Sequence, residues 1–289
     1  MTTARVEKAT AAGSGNAATA TFREKQRSDA SAVADTKRVD TLVTELLTAA
    51  HDIIRRHQLT YAEYDALKAW LIQVGEDAEW PLFLDVWLEH VVEEVATADR
   101  EGSKGTIEGP YYAPGAPELP ADATLPMRDD EPGTPLLFQG QVTAVGGAVL
   151  AGATVEIWHA DDDGLYSRFA PDLPEWNLRA SVTADDEGSF RINTMQPAPY
   201  QIPTDGSCGK LIAAAGWHAW RPAHLHLKVS ASGHQLITAQ LYFRGDEHVA
   251  DDIASAVKPE LILDPVPAAD GMGDVVTHDF VLDPATQGA

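Results

Sequence analysis

The chain has 289 residues, 44 acidic against 21 basic side chains, 44% hydrophobic residues and one cysteine, a length sufficient for two domains or one large β domain with additions. A formal charge of −23 repels phosphate backbones and anionic lipid, which excludes nucleic-acid binding and membrane insertion as main roles. Cys208 alone makes neither a disulfide nor a cysteine zinc cluster, no apolar run approaches the ~18 residues of a membrane span, and the first thirty residues lack a signal-peptide core, so a soluble cytoplasmic protein is expected.

Residues 1–40 hold seven basic and five acidic side chains, so this segment is +2 while the remainder is −25. The Ala/Thr/Ser/Gly-rich opening offers little to bury, and residues 1–30 are expected to form a mobile tail. From Val39 to about Arg100 apolar residues recur at helical spacing. Leu42, Leu46, Ile53 and Ile54, then Tyr64, Leu67, Leu71 and Val74, then Leu84, Trp87, Leu88 and Val91 define three amphipathic helices, the second opened by a Thr60/Glu63 capping box. Their apolar faces need a partner, either the rest of the chain or a second subunit.

After Gly105 the pattern changes to short alternating runs divided by Gly, Pro and Asp. Residues 136–144, 154–160, 179–183, 189–193, 223–230, 235–243 and 274–282 read as strands of an antiparallel sandwich or barrel. The run Asp161-Asp162-Asp163-Gly164 lacks the alternating acids and distal Glu of an EF-hand and reads as a tight turn.

The chemistry concentrates between Leu165 and Phe243. In Arg221-Pro222-Ala223-His224-Leu225-His226-Leu227, a period of two places both histidines on one strand face and both leucines on the other. Two imidazoles so placed suit a shared metal ion, but the missing ligands do not come from a cysteine motif or an HExxH pattern. Tyr166 and Tyr200 lie in loop-like settings, where spacing alone leaves each equally readable as a buried aromatic.

An ordered set of motifs goes further: Trp158-His159-Ala160-Asp161, Gly164-Leu165-Tyr166-Ser167, Asn177-Leu178-Arg179, Pro199-Tyr200, Arg221 to His226, and Thr238-Ala239-Gln240-Leu241-Tyr242-Phe243. With Glu79-Trp80-Pro81-Leu82 and Gly105 to Pro110, it resembles the intradiol ring-cleavage dioxygenases over roughly residues 40–284, most nearly those that cleave catechol. The resemblance implies a mainly β chain, with a helical dimerisation and linker region (31–104) and an antiparallel β-sandwich that binds iron (105–289).

It further implies a non-haem iron(III) held by Tyr166, Tyr200, His224 and His226, with Tyr200 as the labile ligand that accepts a substrate proton. Phenols with pKa near ~10 need a hard, highly charged cation to ionise them, which favours iron(III) over zinc. Arg221 and Gln240 match positions beside the ring, and Leu82, Asp85, Val86, Ile107, Pro110, Tyr111, Ile253 and Ala254 match the pocket wall. The implied partners are catechol and O2, giving cis,cis-muconate, and a second copy of the chain bound through the helices, where a phospholipid can be enclosed. Chlorocatechols are expected to react more slowly. The alternatives are hydroxyquinol or a chlorocatechol as the preferred diol, or a non-catalytic β-sandwich binding module with structural histidines. Residues 195–229, which hold three of the four implied ligands, are locally +2.

Overall fold

Helix ends follow from local signals. In this computed structural model, which describes residues 35–285, Asp35 caps α1 (Thr36–His57) by accepting a hydrogen bond from the Lys37 amide at 3.1 Å. The tail expected over residues 1–30 lies outside the described residues. Gln58 ends α1 in left-handed backbone, and Arg55, Arg56 and His57 sit at the negative end of its dipole. The capping box opens α2 (Tyr61–Glu76) as expected, with the Thr60 amide donating to Glu63 Oε2 at 2.8 Å and the Glu63 amide to Thr60 Oγ1 at 3.3 Å. The third expected helix is two, α3 (Trp80–Trp87) and α4 (Glu89–Ala96), because Leu88 leaves helical geometry at φ −124°.

α1 buries none of its residues in the single chain, and Leu42, Leu46, Ile53, Tyr64 and Leu71 are exposed. Of these four helices, α2 buries Val74 near its end and α3 buries Leu82 and Val86.

The remainder is mainly strand: β1 (Glu118–Leu119), β2 (Asp122–Thr124), β3 (Pro135–Ala144), β4 (Thr154–His159), β5 (Arg179–Thr183), β6 (Ser189–Met195) and β7 (Tyr200–Gln201). Helix α5 (Ser207–Ala215) intervenes before β8 (Trp220–Arg221), β9 (His224–Ser230), β10 (Ile237–Phe243), β11 (Ile262–Leu263), β12 (Val266–Pro267), β13 (Asp274–Thr277) and β14 (Phe280–Leu282). One sheet runs β1-β5-β4-β9-β10-β11; the other runs β12-β13-β3-β6-β2, with β14 also on β3. Side chains of both sheets share one hydrophobic cluster in which Phe138, Phe190 and Ile192 join Ile157, Leu225, Leu227 and Leu241, all at most 1% exposed. Burying each such side chain contributes ~1.5–3 kcal/mol, so the cluster fixes the register of the strands that carry it.

Two strand expectations need correction. The sheets are not wholly antiparallel: β3–β6, β4–β5, β4–β9 and β9–β10 are, but β1–β5, β2–β6, β10–β11, β13–β3 and β14–β3 are parallel. The parallel partners are short strands reached by long connections, so the chain's path, not a hairpin, sets their direction. The strand expected over residues 274–282 is broken between β13 and β14, where the His278 carbonyl crosses Gly140 so closely that a side chain there would overlap it.

Among the described residues β7 and β8 pair only with each other, Tyr200 opposite Arg221 and Gln201 opposite Trp220, in a two-stranded ribbon separate from both sheets. The Asp161–Gly164 turn forms as expected. Asp161 Oδ1 accepts from the amides of Asp163 at 3.1 Å and Leu165 at 2.9 Å, and Gly164 supplies φ +77°. Among the described residues no group of three His, Cys, Asp or Glu is arranged to hold a cation.

Candidate metal centre

β9 directs His224 and His226 to one point, with their Nε2 atoms 3.0 Å apart. The turn after β4 delivers Tyr166, whose hydroxyl lies 3.1 Å from His226 Nε2 and 3.4 Å from His224 Nε2. The β7–β8 ribbon brings in Tyr200, its ring edge-on to Tyr166 with centroids 5.4 Å apart and 5.6 Å from that of His224. Gly164 makes the approach possible, since a Cβ there would stand 2.6 Å from Tyr200 Cβ. Thus three separate segments bring together the four residues matched as ligands, and all four are buried.

The rings are held from behind. His224 Nδ1 donates to the Pro222 carbonyl at 2.6 Å, which directs the Nε2 lone pair inward. Trp158 stacks on His226 at 4.8 Å and 12°, and Tyr111 stacks on Tyr166 at 4.4 Å and 6°. Arg179 ties the Tyr166 loop to the Tyr111 segment through Ser167 Oγ at 2.8 Å, the Ser167 carbonyl at 3.0 Å and the Tyr111 carbonyl at 2.8 Å.

Burial governs the protonation of this set. Desolvation, reinforced by the Arg221 charge, pushes His224 down to about 3; desolvation and then His224 hold His226 well below the usual imidazole range. Burial likewise pushes both phenols up, Tyr166 more than Tyr200. The chain alone therefore presents two neutral imidazoles and two neutral phenols. The two Nε2 atoms face each other at hydrogen-bond distance, and among the described residues buried His226 Nδ1 has no hydrogen-bond partner. A hard cation of high charge fits such a set, since it uses both lone pairs and supplies the field that ionises phenols.

Comparison with known proteins bears on the reaction. Residues 36–104 match the family model described as catechol dioxygenase N terminus, and residues 107–284 match the one described as dioxygenase. A chlorocatechol 1,2-dioxygenase of Rhodococcus opacus is 40% identical over 85% of this chain and 97% of its own length. The chain belongs to the intradiol ring-cleavage dioxygenases. A catechol 1,2-dioxygenase of Acinetobacter baylyi is 34% identical over 81% of this chain and 78% of the relative. The crystal structure of a 3-chlorocatechol 1,2-dioxygenase from Rhodococcus opacus superposes with a TM-score of 0.84 at 44% identity, covering 87% of this chain and all of that one.

The chain is accordingly an intradiol 1,2-dioxygenase of the catechol type, and the reading as a non-catalytic module is set aside. This family depends on non-haem iron(III). Around the four residues, Arg221 is buried and donates to Gln240 Oε1 at 2.8 Å, with Nη1 3.5 Å from His224 Nε2. Gln240 is fixed in turn, its Nε2 donating to the Ile107 carbonyl at 3.0 Å. Leu82, Val86, Ile107, Tyr111 and Ala254 share one cluster with Tyr166 and Tyr200, and Ile253 packs against it. Pro110 is buried and Asp85 partly so. Of these wall residues, Ile253 also reaches a surface depression of about 430 Å³ lined by Trp87, Trp217, His218, Asp251 and Asp252.

Sequence reasoning missed several residues of this intradiol site. Asp252, 8% exposed, accepts from Arg221 Nε and Nη2 at 3.0 Å each and from the amides of Ala254 and Ala256. Tyr242 donates to Gln240 Oε1 at 2.9 Å. Glu89 of α4 accepts from the amides of Glu108 at 2.8 Å and Gly109 at 3.2 Å, fixing the segment that leads to Tyr111. One acid among several in a loop carries no motif; the signal for Asp252 was an Arg221 that had to be buried and therefore paired.

Proposed function

We propose that this intradiol dioxygenase cleaves catechols between the two hydroxyl-bearing carbons with O2, both oxygen atoms entering a cis,cis-muconate product, at a non-haem iron(III) held by Tyr166, Tyr200, His224 and His226. The convergence of two imidazole Nε2 atoms 3.0 Å apart with the Tyr166 hydroxyl, beside Tyr200, carries this reading. Iron(III), when bound, ionises the phenols and draws electron density from a chelating diolate, so that the organic ring becomes the species that reacts with oxygen.

The chain's own residues do the rest. Tyr200 stands on a ribbon outside both sheets; it would be one of the residues holding the iron, and its phenolate oxygen could take up one diol proton. Arg221, held in orientation by Asp252 and Gln240, presents a fixed cation where negative charge develops on the ring oxygens. The Leu82, Val86, Ile107 and Ala254 wall excludes water and bounds the ring.

The identities to chlorocatechol enzymes support chlorinated catechols as substrates alongside catechol. The relative from Rhodococcus opacus is matched over 97% of its length, against 78% for the Acinetobacter baylyi catechol enzyme. Oxygen uptake with catechol, 3- and 4-chlorocatechol and hydroxyquinol, on protein of measured iron content, tests both levels. No uptake with any diol by iron-loaded protein refutes the reaction; a strong preference for catechol or hydroxyquinol refutes the chlorocatechol assignment alone.

The same reading makes residues 31–104 a helical dimerisation region and residues 105–289 a catalytic sandwich of the two sheets. The exposed Leu42, Leu46, Ile53 and Leu71 support pairing of two copies through α1 and α2, with an enclosed phospholipid. Sedimentation of the full chain and mass measurement of an organic extract test these two points.

A further inference from the structure

The metal centre is assembled from two mechanically distinct parts. His224 and His226 belong to β9, which is paired on both sides within a six-stranded sheet. Tyr200 and Arg221 belong to the β7–β8 ribbon, which joins neither sheet and is continued by one further backbone bond, Ile202 amide to Ala219 carbonyl at 2.9 Å. The β8 side is held by Asp252 and Gln240 on Arg221 and by the Ile253 amide on the Trp220 carbonyl at 3.2 Å; the β7 side runs into α5, the helix connecting the two strands, and α5 is gripped by the helical region.

The grip is specific. Glu79, 7% exposed and just before α3, places Oε2 2.7 Å from the Cys208 amide at the first turn of α5. Next to it the Ser207 hydroxyl donates to Asp77 Oδ2 at 2.6 Å, and Trp70 Nε1 donates to the Ser207 carbonyl at 2.8 Å. Gly206 leaves room for the carboxylate, because any side chain there would overlap Glu79. At the far end of α5, Trp217 meets Trp87 of α3 with centroids 6.3 Å apart. A carboxylate on unsatisfied amides at a positive helix end is a strong orienting contact.

We propose that Glu79 is a positioning residue for the metal centre: by holding the first turn of α5 it fixes the Tyr200 side of the ribbon, so the helical region sets the placement of Tyr200 while the sheet sets His224 and His226. The proposal rests on the iron centre described above, which Glu79 does not touch.

The test compares Glu79→Ala and Glu79→Gln in the full chain by iron content, the visible tyrosinate-to-iron absorption band, and amide hydrogen exchange. In Glu79→Ala the band shifts at unchanged iron content, and exchange at residues 200–202 accelerates roughly tenfold, the scale of a lost helix cap, while residues 225–229 keep wild-type protection. Glu79→Gln retains an acceptor oxygen and restores both readouts most of the way. Wild-type exchange in the ribbon of Glu79→Ala, or equal loosening of β9, overturns the proposal, whatever the melting temperature does. Should Glu79→Ala fail to fold, Ser207→Ala is expected to accelerate exchange at residues 200–202 at least threefold, and no change there overturns it equally. A wild-type protein without iron or visible band would instead refute the iron reading, and the exchange comparison would still decide the role of Glu79.

Discussion

Asp252→Asn isolates the ion pair beneath the metal centre. Arg221 and Asp252 are 3% and 8% exposed, and the carboxylate receives two guanidinium bonds of 3.0 Å. Asparagine keeps the shape and one acceptor oxygen, for Arg221 Nε and the Ala254 amide, while its NH2 replaces the oxygen that accepts from Arg221 Nη2 and the Ala256 amide, so the charge and two acceptor contacts are lost together. Leaving one member of a buried pair uncompensated costs ~3–5 kcal/mol, which for a chain of this size lowers the melting temperature by roughly 6–20 °C. Replacing both partners with apolar residues, Arg221→Met with Asp252→Leu, recovers most of that loss, to within ~1 kcal/mol of wild type, while abolishing turnover.

The pH dependence follows from the same carboxylate. Burial alone would raise its pKa, but the Arg221 charge and hydrogen bonds, together with the Ala254 amide, outweigh burial and hold it below the ordinary aspartate value. Its contribution is therefore complete above a pH of ~4 and is lost as pH falls through the depressed folded value. Thermal unfolding from pH 3 to 7 should show a steeper acid loss in wild type than in Asp252→Asn. A single-variant destabilisation below ~1 kcal/mol, or a double variant no better than the single, would refute this account of the pair.

Tyr200→Phe should keep its iron, lose part of the visible band and turn over roughly 10²-fold more slowly, since a proton acceptor is removed and three other ligands stay; steady-state oxygen uptake checks it. His226→Ala should instead lower iron stoichiometry, measured by metal analysis. Gly164→Ala forces a side chain into φ +77° and to 2.6 Å from Tyr200 Cβ, so a loss of ~1–3 kcal/mol with a shifted visible band is expected from thermal melts and absorption spectra. Gly140→Ala meets the His278 carbonyl where β13 passes to β14; a similar ~1–3 kcal/mol loss with an unshifted band distinguishes a core clash from a site clash.

Legibility in the sequence tracked how local the causes were. The capping box at Thr60 and the alternation in 223–230 are short-range patterns, and both appear in the structure. The parallel additions β1, β2 and β11 span two or three residues and owe their existence to an edge supplied by a distant strand, so no period announces them. Helix α5 was missed because Ser-Cys-Gly opens it with weak helix formers, and its first turn is bonded by Glu79, Asp77 and Trp70, all more than a hundred residues earlier. Within the site, the shared face of His224 and His226 was readable from spacing. The facing plates Trp158 and Tyr111 and the counter-charge Asp252 were not, because each becomes meaningful only once folding places it against a ring or a guanidinium.

In β9 the residues that face the metal centre and those that fill the core alternate along one backbone. A slip of one position would therefore not weaken the centre by degrees; it would send both imidazoles into hydrocarbon and both leucines into the space meant for a cation. Leu225 and Leu227 thus act as a proofreading device, since the wrong alignment is also the one that strands oil in a polar site. Substitutions that trim these leucines should be felt first as chains assembled with the wrong side inward, and insertions within this strand should yield protein that is either whole or without its centre, with no partly competent form between them.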